Sequence, residues 1–321
     1  MTRVVAVPQT LDDDAVDGLL AEAADAGDEK LLFDARHVRF ADPFGMLGLL
    51  ALGTYLRETG GRPMLQLPQA PEVLRYLGGM GFLGAAGGAF EVGDLPRARA
   101  AGESNVLLPI TVIGSHEDVH GVVEVLNEGR VSALLAEQLG YSKADAIAFS
   151  MLLSEVSQNI IEHADAPGWV GIQVYNWQRR LGRKVAVIAV MDLGTGFKGS
   201  LEREHSARFG DRWGDATALE AAFIHGVTRF RDPGRGQGLK QIRKKVGRWG
   251  GKISIRSGTA RIADVPEWDD AVPLEKDLPY FPGAQIEIIL PSKEPAPPQP
   301  AAPAPGARAG SAPPPRRPRP G

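Results

Sequence analysis

Residues 184–196 read Lys-Val-Ala-Val-Ile-Ala-Val-Met-Asp-Leu-Gly-Thr-Gly. Lys184 to Met191 is an apolar, valine-rich run, and an unbroken run of this kind next to glycines predicts an interior strand. The strand delivers Asp192 at its C-terminal end. Gly194 and Gly196 then let the backbone turn where a side chain would clash or forbid the turn. An Asp-x-Gly-x-Gly segment also occurs as an ordinary turn in many folds, so its meaning depends on the rest of the chain.

Upstream, Ser142-Lys143-Ala144-Asp145 is a capping box, and the spacing predicts a helix from there to about Ala164. Its apolar stripe is Phe149, Leu152, Leu153, Val156 and Ile160. Glu155, Asn159 and His163 follow one another at four-residue spacing, so they form a second, polar row on the same helix. Such a row either lines a site or faces water. Downstream, Asp232-Pro233-Gly234-Arg235-Gly236-Gln237-Gly238-Leu239 runs into a helical stretch ending near Trp249. Glycine-rich backbone at a helix start offers N–H groups and the positive end of the helix dipole to an anion. No Gly-Lys-Ser/Thr follows, so this is not a P-loop. The loop comes late in its domain, which separates it from a Rossmann fingerprint.

Taken together and in this order, the three elements resemble the N box, G1 box and G2 box of the GHKL ATP-binding superfamily, which includes gyrase B, sensor histidine kinases and anti-sigma-factor serine kinases. The resemblance covers about Leu107 to Ser292. It implies a two-layer α/β sandwich with a mixed sheet covered on one face by helices, and it implies ATP and Mg²⁺ as ligands. In that family the asparagine, here Asn159, ligates Mg²⁺, and the glutamate, here Glu155, is the general base. His163 followed by Ala164 is typical of the anti-sigma-kinase branch and closes the helix near the phosphates. Asp192 takes the adenine amino group above Gly194 and Gly196, and Gly234, Arg235, Gly236, Gly238 and Leu239 form the phosphate-side box. Phe197 to Pro233 corresponds to the family's mobile lid, where Arg229, Arg231 and Arg235 either clamp phosphates or pair with Asp232 or water.

The first 90 residues alternate short apolar runs with amphipathic segments. Strands are expected at Val4–Val7, Lys30–Asp34 and Met64–Leu67, and helices near Ala15–Ala26, Phe44–Arg57 and Glu72–Met80. On Phe40-Ala41-Asp42-Pro43-Phe44-Gly45-Met46 this portion looks like a STAS domain. The residue aligned with the family's regulatory serine or threonine is Pro43, which has no hydroxyl and suits the first turn of a helix. The first serine of the chain is Ser104. The unit therefore reads as a docking or dimerising module without the phosphorylation switch, which allows a homodimer; an unrelated small α/β domain is the alternative.

The chain is α/β throughout, and its 321 residues suffice for two cores. The expected units are a STAS-like domain at 1–90, a linker at 91–106 within a Gly/Ala-rich and charged stretch from Ala85 to Asn105, the ATP-binding domain at 107–292, and a disordered Pro/Ala/Arg-rich tail at 293–321. The net charge is -3, with Lys293, Arg308, Arg316, Arg317 and Arg319 against Glu294 in the tail, so the folded part is acidic. That argues against specific nucleic-acid binding. Cysteine is absent, which excludes disulfides and thiolate metal sites. Met1 to Val16 does not read as a secretory signal, and Phe44 to Leu56 is too short to cross a bilayer, so no membrane association and a cytoplasmic location are expected.

His116-Glu117-Asp118-Val119-His120 matches the H-E-x-x-H zinc pattern. Ser115 and Asp118 form a capping box there, which puts both histidines in the first helical turns, and no motif supplies a third ligand. A zinc hydrolase remains the remote alternative. The main expectation is an ATP-dependent serine/threonine kinase, or weak ATPase, in partner-switching signal transduction. Its partner is a STAS-domain antagonist or a sigma-factor-like regulator. The competing expectation is a nucleotide-dependent binding switch that transfers no phosphate.

Overall fold

A computed structural model describes residues 1–27, 29–93, 106–127, 130–159, 166, 168–178, 180–228 and 238–293. The N-terminal part runs β1 (Thr2–Ala6), β2 (Thr10–Leu11), α1 (Asp13–Ala24), β3 (Lys30–Asp34), β4 (Phe40–Ala41), α2 (Pro43–Glu58), β5 (Met64–Gln66), α3 (Pro71–Gly79), α4 (Phe82–Ala89) and β6 (Glu91–Val92). Four strands form a sheet in the order β1-β3-β5-β6, parallel at each pairing. Parallel neighbours need crossover connections, and the helices between them provide these. α2 begins as its sequence dictates. Asp42 is the N-cap and accepts from Gly45 N at 2.8 Å, and Pro43 occupies the first turn, where a missing N–H costs nothing.

The second part runs β7 (Val106–Ile113), α5 (His116–Asn127), α6 (Arg130–Leu139), α7 (Lys143–Asn159), β8 (Gly168–Trp177), β9 (Arg183–Asp192), α8 (Gly196–Phe209), α9 (Asp215–Phe223), α10 (Gly238–Arg248), β10 (Lys252–Gly258), β11 (Ala260–Asp264), β12 (Leu274–Glu275) and β13 (Phe281–Pro291). Its seven-stranded sheet has the order β12-β11-β10-β13-β9-β8-β7. Each pairing is antiparallel. This differs from the mixed sheet expected for 107–292: both kinds of pairing occur, but among the described residues the parallel one is confined to the N-terminal sheet and to the short β2–β4 contact.

The expectation of helices on one face only is also corrected. Along β9, Ala186, Ile188 and Val190 join the core under α5, α6, α7, α9 and α10, whereas Ala189 and Met191 belong to the N-terminal core. α2 is the element that covers this other face. Leu47, Leu49, Leu50 and Leu52 point around the whole helix and are at most 1% exposed, so a single sheet could not bury them. Burying one leucine stabilises by roughly 2 kcal/mol, and α2 collects that from the parallel sheet and the antiparallel one alike. The approach is close: a Cβ on Gly171 of β8 would lie 3.4 Å from Leu47 Cδ1.

Polar contacts fasten the same junction. Arg256, 1% exposed on β10, donates from Nε to Asp17 Oδ1 of α1 at 2.8 Å, and Arg261 of β11 reaches Asp17 Oδ2 at 2.5 Å. Tyr76 and Tyr175 share a hydrogen bond between their hydroxyls. Parts of the stretch expected to be a linker belong to regular elements. Ala85 to Ala89 close α4, Glu91 and Val92 pair with β5, and Val106 already belongs to β7; residues 94–105 lie outside the described residues. Lys293, assigned to the tail, donates its backbone N–H to Leu139 O and pairs with Asp145 at 2.6 Å. Residues 294–321 are outside the described residues.

Candidate functional site

Asp192 ends β9, opposite Gly168 at the start of β8. It is buried, and burial pushes its carboxyl up to about 6 although the N–H groups of Gly194 and Ala284 favour the ionised form. Both donors go to one oxygen: Oδ1 accepts from Gly194 N at 2.9 Å and from Ala284 N at 3.3 Å. Oδ2 accepts no hydrogen bond among the described residues. A carboxylate pinned in this way has a fixed direction and one oxygen available to an outside donor.

The turn beyond it is made by backbone packing. Gly196 has φ +65°, and a Cβ there would meet Ser257 Oγ at 2.6 Å and Gly283 O at 2.8 Å. Ser257 Oγ donates to Gly283 O at 2.6 Å and accepts from Phe197 N at 3.1 Å, tying α8 to β10 and β13. Gly194 shares the turn without a left-handed φ. Ser257, Gly283 and Ala284 were missed as parts of this turn. The Pro282-Gly283 pair ahead of an apolar strand is the signal that could have found the last two.

The α7 helix forms as its capping box requires: Asp145 N donates to Ser142 Oγ and Ser142 N to Asp145 Oδ2, each at 3.2 Å. Lys293 first, then the Ser142 and Trp249 contacts, hold the Asp145 carboxyl well below the usual range. Phe149, Leu152, Leu153 and Val156 are buried, as their stripe predicts. Glu155 is half-buried, and desolvation raises its carboxyl above the ordinary value while Lys245 opposes the shift. Gly238 opens α10 against it: a Cβ on Gly238 would lie 2.4 Å from Glu155 Oε1. Leu239, beside it, packs on the core under the sheet. Glu155 and Gly238 are thus in contact.

Asn159 is the last residue of α7, and the chain enters β8 at Gly168, the register partner of Asp192. The side chain of Asn159, together with His163, Arg229, Arg231, Gly234, Arg235 and Gly236, lies outside the described residues. Within the stretch expected to be a lid, α8 and α9 are packed helices. Asp215 at the start of α9 accepts from Thr259 N at 3.0 Å and Thr259 Oγ1 at 2.9 Å.

His116 is the first residue of α5 and His120 lies one turn on, both exposed. Ser115 and Asp118 form the capping box, with Asp118 N donating to Ser115 Oγ at 3.2 Å. His116 Nδ1 lies 3.1 Å from Gln158 Nε2. Among the described residues no third histidine or carboxylate converges with this pair; the one group close enough to share a metal ion is Asp12, Asp13 and Asp14. No helix among the described residues is long and apolar enough to cross a membrane. No protein-family model matches the chain, and a search of curated proteins found no match.

Proposed function

We propose that the unit built on the seven-stranded sheet binds an adenine nucleotide with Mg²⁺ and acts as a regulatory serine/threonine kinase of the GHKL type toward a separate STAS-like partner protein. The observation that carries this reading is the Asp192 carboxylate, whose Oδ1 is held by two backbone N–H groups and whose Oδ2 has no donor among the described residues. A donor on a purine, such as the adenine amino group, suits that oxygen. The contact between Glu155 and Gly238 supports the phosphate end of the same site.

Mg²⁺, held through Asn159 and the phosphates, would neutralise the charge developing on the transferred phosphoryl group. Glu155 would accept the proton of the attacking hydroxyl. That oxygen bonds to the γ-phosphorus while the bond to ADP breaks. The raised Glu155 carboxyl is a stronger base than an exposed glutamate, in keeping with this role. Gly234, Arg235 and Gly236 would face the phosphates with Gly238.

The chain's own N-terminal unit is a poor substrate. Pro43 stands where a phosphoacceptor is expected, and it is buried close to Gly171 of β8. This observation favours a second reading, a nucleotide-dependent binding switch without transfer. Incubation with γ-labelled ATP and candidate STAS partners separates the two. Label on a partner, lost in Glu155→Ala while nucleotide binding persists, supports the kinase; binding with no transfer to any partner supports the switch.

A further inference from the structure

A cavity of about 730 Å³ lies between the start of α1 and the face of the antiparallel sheet that α2 covers. Acids and bases both line it, but they are unevenly matched. Its basic groups are already engaged: Lys252 pairs with Asp269 at 3.2 Å, Arg180 with Asp269 at 3.1 Å, and Arg261 with Asp17 and with Glu275 at 2.8 Å. Asp12, Asp13, Asp14, Asp42 and Glu287 also line it, and none of the five has a salt bridge among the described residues.

Three of these acids present carboxylate oxygens within 4.8 Å of one another: Asp12, Asp13 and Asp14. They sit at the start of α1, and the helix dipole offsets part of their charge. No helix does this for Glu287. It is 2% exposed in the middle of β13, and its Oε2 has no hydrogen-bond partner among the described residues. Burial, then the charges of Asp13 and Asp42, raise its carboxyl well above the ordinary range, against the pull of Lys252 and Arg261. A buried carboxylate oxygen without a donor is costly, and nearby negative charge makes it more so.

We propose that this cavity is a binding site for one hard divalent cation, ligated by Asp12, Asp13 and Asp14, with Asp42 and the unpartnered carboxyl of Glu287 lining the same cavity and ionising as the cation binds. All the donors are oxygens, the preference of Ca²⁺ and Mg²⁺, and the volume leaves room for the waters such an ion keeps. The three ligands come from the N-terminal unit, and Glu287 lines the same cavity from the sheet. This site is separate from the nucleotide site and stands without it.

The test uses nucleotide-free full-length protein and Tb³⁺ as the probe, because Trp177 lines the cavity and its indole can sensitise a bound lanthanide. The expected result is saturable emission at one equivalent, displaced by Ca²⁺ or Mg²⁺. Affinity should fall at least tenfold in Asp13→Asn and in Glu287→Gln, and be unchanged in Asn159→Ala. Asp14 is exposed, so Asp14→Asn keeps the test usable if the buried variant does not fold. Trp177→Phe should remove the emission while Ca²⁺ or Mg²⁺ still raises the melting temperature. Non-saturable emission, no displacement by either ion, or wild-type affinity in Asp13→Asn and Asp14→Asn overturns the proposal.

Discussion

Glu155 and Gly238 touch: the glycine leaves the space that the glutamate carboxylate fills, since a Cβ on Gly238 would fall 2.4 Å from Oε1 and 2.8 Å from the carboxyl carbon. The obstructing atoms are the end of a flexible side chain, so Gly238→Ala should fold and displace Glu155. Phosphoryl transfer or ATP hydrolysis is expected to fall at least tenfold, as about 1.4 kcal/mol of lost transition-state stabilisation would produce. ADP affinity should change less. Steady-state kinetics beside a binding isotherm would show this, and equal losses in both would contradict a positioning effect.

Asp192 should titrate near pH 6 in the free protein, because burial raises its carboxyl. A group raised above its unfolded value costs stability as it ionises, so its contribution is lost as pH rises from about 4 to about 6. A donor on Oδ2 favours the ionised form. Bound ADP should therefore lower the titration midpoint by about one unit or more, and nucleotide affinity should weaken as pH falls through 6. Carboxyl NMR of selectively labelled aspartate reads the midpoint directly. An unchanged midpoint with nucleotide bound would separate Asp192 from the adenine.

Asp17 neutralises two arginines at the junction, and Arg256 beside it is 1% exposed. Breaking a buried pair by removing one partner leaves an uncompensated charge, so Asp17→Asn should destabilise by about 3 kcal/mol. Arg256 keeps its hydrogen bonds to the carbonyls of Gly258 and Pro279, which bounds the loss. Urea unfolding should show one transition for both sheets in the wild type, because α2 belongs to both cores. Two well-separated wild-type transitions would mean that the shared helix does not couple them.

Asn159→Ala should weaken Mg·ATP by tenfold or more and metal-free ATP by much less. Equal weakening of the two would remove the metal role assigned to the asparagine. Parallel titrations with and without EDTA suffice.

The elements were largely legible because their signals are local. The Ser142/Asp145 capping box, the Phe149 to Val156 stripe and the Asp42-Pro43 helix start lie where the sequence placed them. The Lys184 to Met191 run was read as an interior strand, but its continuity held a further message. Alternate residues of β9 face different cores, which is why no polar residue interrupts them. The apolar circumference of α2 carried the same message, since one sheet cannot bury a helix on every side. What stayed hidden depends on contacts between residues far apart in the chain. Nothing near Arg256 announces Asp17, and nothing near Glu287 announces that β13 lies centrally in the sheet. The motifs single out Asp192, Gly196 and Gly238, whose close packing the structure shows. Gly283 and Ser257 emerged only once β13 and β10 were paired.

The most direct measurement is a calorimetric titration of the full chain with ADP and ATP, with and without Mg²⁺, in wild type and Asp192→Asn. One adenine nucleotide per chain is expected, bound more tightly with Mg²⁺, with at least a tenfold loss of affinity in the variant. Flat titrations at millimolar adenine nucleotide, or equal affinity in Asp192→Asn, would contradict it.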